Sequence, residues 1–111
     1  MQPDLNKLLD LEKLIPLLEN HQVNKAYLFG SILNENFDSN TSDFDFLVEI
    51  DEADPLVKGE LLISLWDKLE SLTNRKVDLL TPESLTNPIL KKSIDANKMK
   101  IYDRSGAEVF D

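Results

Sequence analysis

Residues 28–51 read LFGSILNENFDSNTSDFDFLVEID, and this stretch decides the fold. Its second half alternates. Asp43, Asp45, Leu47, Glu49 and Asp51 share one parity, and Phe44, Phe46, Val48 and Ile50 share the other. Side chains of a β-strand point alternately to opposite faces. Residues 42–50 are therefore expected to form a strand that buries Phe44, Phe46, Val48 and Ile50. The acidic set would face solvent or line a site. Asp43 and Asp45 would stand about 7 Å apart at Cα, close enough for both to reach the same ions. The first half places Gly30 and Ser31 directly after the apolar run of residues 25–29, KAYLF, which reads as a short strand.

Outward from this stretch the elements follow in order. Leu8, Leu11, Ile15 and Leu18 recur at helical spacing, so residues 4–20 read as a helix. Pro16 would break a helical hydrogen bond, so the helix either bends there or begins near Asp10. Residues 34–41, NENFDSNT, are a polar loop. Asp54-Pro55 is a helix start, with aspartate at the N-cap and proline in the first turn. Leu61, Leu62, Leu65, Trp66, Leu69 and Leu72 give that helix a wide apolar stripe ending near Thr73-Asn74. Residues 75–80 read as a strand, Thr81-Pro82 and Asn87-Pro88 as starts of short helical segments, and residues 99–102 as a last strand. A frayed tail is expected after about residue 103. The fold class is α/β (α+β), a small mixed sheet flanked by helices. The 111 residues suggest one domain, 1–111.

Composition narrows the functions. An apolar fraction of 41% supports a hydrophobic core. A formal net charge of −9 argues against direct binding to nucleic acid or anionic membrane. Lys91, Lys92, Lys98 and Lys100 form a basic cluster that leaves a local nucleic-acid patch open. No apolar run approaches a membrane span, and residues 1–10, MQPDLNKLLD, lack the features of a secretory signal, so the expected location is cytoplasmic. With no cysteine there is no disulfide framework or thiolate chemistry. The lone histidine, His21, reads as a structural residue at a helix end.

Three features carry chemistry. Gly30 lets the backbone approach a ligand closely, and a helix starting after it would offer N–H groups and the Ser31 hydroxyl to a phosphate. Asp43 and Asp45 are both disfavoured in a strand and repel one another, a cost that divalent cations would offset. Oxygen-only ligands suit Mg²⁺, with Mn²⁺ as the alternative. Asp78 lies between Val77 and Leu79 and points away from both. An EF-hand-like spacing of Asp38, Asn40, Ser42 and Glu49 fails, because Asp43 occupies the position that requires glycine.

Together, FGS (residues 29–31), SDFDFLVEI (42–50), KVDLL (76–80), TPESLTNPILKKSI (81–94) and MKIYD (99–103) resemble the minimal nucleotidyltransferases (MNT domains) of the polymerase-β-like superfamily. The resemblance implies a nucleotidyltransferase fold. It implies that Asp43 and Asp45 hold two Mg²⁺ ions and that Asp78 is a third metal-binding and catalytic carboxylate near the nucleophile. Gly30 and Ser31 would grip the β- and γ-phosphates. The implied reaction transfers a nucleoside monophosphate, AMP from ATP, to a protein acceptor. The implied partner is a HEPN-domain protein, with this chain as the antitoxin of the pair; homo-oligomerisation is left open. Asn34 stands where many members have arginine, and Glu35 where glycine is common. A second reading follows: a catalytically degenerate module of the same fold that neutralises its partner by binding alone.

Overall fold

Three ladders build the sheet. A computed structural model of the chain describes residues 10–29 and 44–106. Strands β1 (Val23–Phe29), β2 (Phe44–Ile50), β3 (Val77–Leu80) and β4 (Met99–Asp103) lie in the order β3-β2-β1-β4. β1 runs antiparallel to β2 and to β4, while β3 runs parallel to β2. A parallel pair needs a crossover. Helix α2 (Pro55–Thr73) supplies it between β2 and β3.

Among the described residues the expected elements form; the expected loop 34–41 and the first part of the expected helix, before residue 10, lie outside them. Helix α1 (Leu11–Asn20) starts at Asp10 and carries Pro16 inside it, which decides between the two expected starts among the described residues. The Asp54 carboxylate accepts the Leu56 N–H at 2.9 Å and caps α2, which ends at Asn74 in the left-handed region with φ 54°. Thr81-Pro82 opens a 3₁₀ turn (Pro82–Ser84), and Asn87 caps helix α3 (Pro88–Asn97).

The core is built on the parity read from β2. Phe44, Phe46, Val48 and Ile50 pack with Val77, Leu79, Leu28 and Ile101 of the sheet and with Leu14, Leu18, Leu65 and Leu69 of α1 and α2. Helices α1 and α2 therefore cover the same sheet face. In β1 the alternation slips. Val23 pairs with Ile50 but Lys25 with Glu49, so one extra residue, Asn24, enters β1. This bulge lets both Val23 and Ala26 face the core despite their opposite parity.

Two expectations need correction. Leu47 shares the parity of Asp45 yet is buried, because the chain after β3 folds over that half of the face; Leu47 packs with Leu85 and Ile94. Trp66 belongs to the edge of the sheet rather than to the core stripe. Its Nε1–H donates to the Val77 carbonyl at 2.6 Å, while the Glu70 carboxylate accepts the Val77 N–H at 3.0 Å. β3 is an edge strand, and these two α2 side chains satisfy backbone groups that would otherwise be open for pairing.

His21 is the structural residue it was read to be. It is buried at the end of α1, with Nδ1 2.8 Å from the Leu17 carbonyl and Nε2 2.9 Å from the Ser64 hydroxyl of α2. The backbone carbonyl can only accept, so Nδ1 carries the proton and Nε2 accepts from Ser64.

Candidate active site: a carboxylate pair on the open sheet face

The parallel β2–β3 register sets Asp45 directly opposite Asp78. Register partners project to the same face, and neighbouring strands lie about 4.8 Å apart. Two carboxylates from strands 33 positions apart in the chain therefore stand side by side. They project from the face opposite α1 and α2, since Phe44, Phe46, Val77 and Leu79 project to the helical side. On the other side of Asp45 the antiparallel register places Phe29, the last residue of β1. Phe29, Asp45 and Asp78 thus form one row across three strands.

The next row is apolar. Tyr27 opposes Leu47, and Leu47 opposes Leu80. Leu85 and Ile94 cover this row, with Tyr27, Phe29 and Leu80 packed against them. The covered half gives the carboxylate row a fixed floor on one side. The Lys98 ammonium sits 4.3 Å from the Tyr27 ring centroid and 3.0 Å from the Asp95 carboxylate. Lys100 pairs with Asp103 at 3.0 Å. Of the basic cluster, Lys91 and Lys92 are exposed, while Lys98 and Lys100 are half-buried.

Asp78 is exposed and makes no hydrogen bond or ion pair with described residues. A strand aspartate facing a second carboxylate, with no donor of its own, fits a hard divalent cation better than it fits the apo sheet. Among the described residues no three His, Cys, Asp or Glu side chains converge, so the described pair is a partial shell. Gly30 follows Phe29 in the chain and Asp43 precedes Phe44. Both, with Ser31, Asn34 and Glu35, lie outside the described residues. Sequence reading alone does not single out Phe29, whose place beside Asp45 depends on register. It does place Asp78 away from Val77 and Leu79, and the structure agrees.

A mixed sheet with α1 and α2 on one face and, on the other, an acidic row beside a half covered by α3 is a nucleotidyltransferase architecture. The family model for polymerase beta, nucleotidyltransferase matches residues 12–107, and the chain belongs to this family. A relative from Methanocaldococcus jannaschii, named "Putative protein adenylyltransferase MJ1217", is 39% identical over 85 residues, covering 77% of this chain and 83% of the relative. A crystal structure of a toxin–antitoxin with AMP-PNP aligns with a TM-score of 0.62 at 25% identity, over 86% of this chain and 74% of the other. A second structure, a tri-AMPylated Shewanella oneidensis HEPN toxin in complex with MNT antitoxin, aligns with a TM-score of 0.52 at 24% identity, over 85% of this chain and 70% of the other; at that identity the likeness is one of fold.

Proposed function

We propose that this chain is a single minimal nucleotidyltransferase domain that transfers AMP from ATP to a protein acceptor. Its role would be that of an antitoxin acting on a HEPN-domain toxin in the cytoplasm. The observation that carries this reading is the register pairing of Asp45 with Asp78 on the sheet face away from α1 and α2, in a chain whose relatives include one named "Putative protein adenylyltransferase MJ1217". The AMP-PNP complex and the AMPylated HEPN toxin among the similar structures support the choice of nucleotide and partner.

Asp43, Asp45 and Asp78 would hold Mg²⁺, two ions in the full site, with Gly30 and Ser31 at the β- and γ-phosphates. When bound, the metal neutralises charge on the phosphates and on the oxygens that attack and leave. The chain's own residues do the rest. The apolar floor of Tyr27, Leu47 and Leu80 gives the carboxylate row a rigid base. Asp78, exposed and without a hydrogen bond or ion pair among the described residues, receives the proton of the acceptor hydroxyl as its oxygen bonds to the α-phosphorus. The bond from that phosphorus to the bridging oxygen breaks, and pyrophosphate leaves. No helix among the described residues is long and apolar enough to cross a membrane.

Incubating the protein with α-labelled ATP, Mg²⁺ and the HEPN protein should label the partner. Absence of label, under conditions in which an active relative labels its own partner, would contradict the reading. The second reading, a binder without transfer, draws on Asn34 and Glu35. It requires that neutralisation survive the double change Asp43→Asn/Asp45→Asn.

A further inference from the structure

Helix α2 is apolar on two sides. Leu65 and Leu69 face the core, yet Leu56 is 74% exposed, Ile63 71% and Trp66 39%. At 3.6 residues per turn Leu56 and Ile63 fall on one line opposite the core-facing side, and half-exposed Trp66 borders it on the flank that turns toward β3. Gly59 and Trp66 form a row along one flank of Leu56 and Ile63. Glu60 and Asp67 form the row along the other flank, both exposed and neither in an ion pair among the described residues.

Gly59 is the second observation. Inside a helix glycine costs stability relative to alanine, and a reason is usually found in packing. Among the described residues there is none. A β-carbon added at Gly59 would meet nothing within 4 Å. The missing side chain leaves a notch in the stripe, and interaxial distance between packed helices depends on the side chains at the contact.

We propose that this stripe is a docking surface for a helix of a partner protein. That helix has an apolar seam bordered by lysine or arginine and crosses α2 at Gly59. Charge chooses the occupant. The Glu60–Asp67 row complements a basic border, whereas a second copy of this chain would bring the same acidic row against itself. Leu56 and Ile63 lie on the side of α2 turned away from the core, and the Asp45–Asp78 row lies on the sheet face opposite α2. A partner held here leaves the carboxylate row open. The inference therefore stands whether or not the chain transfers nucleotides.

Trp66 is the only tryptophan and reports directly on the stripe. The full chain is titrated with two synthetic helical peptides that share one Leu/Ile seam, one bordered by Lys and the other by Glu. The Lys-bordered peptide should shift Trp66 emission to the blue with saturation, and the Glu-bordered peptide should not. Ile63→Asp should weaken the Lys-bordered peptide at least about tenfold. The double change Glu60→Lys/Asp67→Lys should reverse the preference although the chain remains net acidic, which separates the stripe from general charge attraction. Gly59→Ala should raise the melting temperature of the free protein while weakening peptide binding. No blue shift, an equal response to both peptides, or unchanged affinity in Gly59→Ala would overturn the proposal. A blue shift that grows with protein concentration without peptide, and is lost in Ile63→Asp, would assign the stripe to a second copy and overturn it as well.

Discussion

Asp45 and Asp78 are register partners across the one parallel strand pair of the described sheet, so two acids face each other with no intervening residue. Like charges directly opposite on a sheet are destabilising. In the absence of metal, Asp78→Asn should therefore stabilise the protein by roughly 0.2–1 kcal/mol. Adding Mg²⁺ should raise the melting temperature of the wild type and leave that of the variant almost unchanged. Thermal unfolding with and without Mg²⁺ reads both effects.

Trp66 and Glu70 close the free edge of β3 at Val77. Replacing Trp66 by phenylalanine keeps most of the ring but removes the donor, leaving the Val77 carbonyl without its partner. The expected cost is about 1–3 kcal/mol, the range for a buried polar group left unsatisfied. Urea unfolding should show this as a lower midpoint, together with faster amide exchange along β3.

Asp103 ties the end of β4 to the turn that follows. Its side chain is only 3% exposed. The Ser105 hydroxyl donates to it at 2.6 Å, the Lys100 ammonium at 3.0 Å and the Ser105 N–H at 2.9 Å. These donors, the Ser105 hydroxyl foremost, lower its pKa from 3.8 to about 2. A carboxyl whose folded pKa is depressed stabilises the fold above its unfolded value and loses that contribution as pH falls through the folded one. The contribution of Asp103 is thus complete above pH 3.8 and is lost toward about pH 2. Ser105→Ala should lower stability above that window and flatten the acid dependence within it, measured by urea unfolding across the acid range.

The buried His21 couples α1 to α2 through Ser64, whose hydroxyl also accepts from Lys68 at 2.8 Å. Ser64→Ala removes the partner of a buried ring nitrogen and should cost about 1 kcal/mol or slightly more. His21→Ala should cost more, because it also frees the Leu17 carbonyl and opens space between the helices. Denaturant midpoints of the two single variants and the double variant give the coupling; the double should cost less than the sum.

What was legible in the sequence follows from which forces act locally. Helix α2 was readable at both ends because Asp54, Pro55 and Asn74 are local cap chemistry. The buried face of β2 was readable because alternation is local too. The Asn24 bulge, the covering of Leu47 and the edge role of Trp66 were not. Each depends on which strand lies next to which, and hydrophobic period does not encode that. Trp66 matches a core stripe by spacing, yet its indole is drawn to the sheet edge by a backbone carbonyl 11 residues away. At the site, sequence parity aimed Asp45 and Asp78 away from the apolar core. The pairing of the two was implied only by family resemblance until the register placed them together. Asp43, Gly30 and Ser31 lie outside the described residues.

The most direct test of the account is the intact mass of the HEPN partner after incubation with ATP and Mg²⁺. The wild-type chain should add AMP to it. Asp78→Asn should slow that addition by at least about a hundredfold while still binding the partner. A partner whose mass is unchanged by the wild type, or changed equally well by Asp78→Asn, would contradict the claim that the Asp45–Asp78 row carries the chemistry.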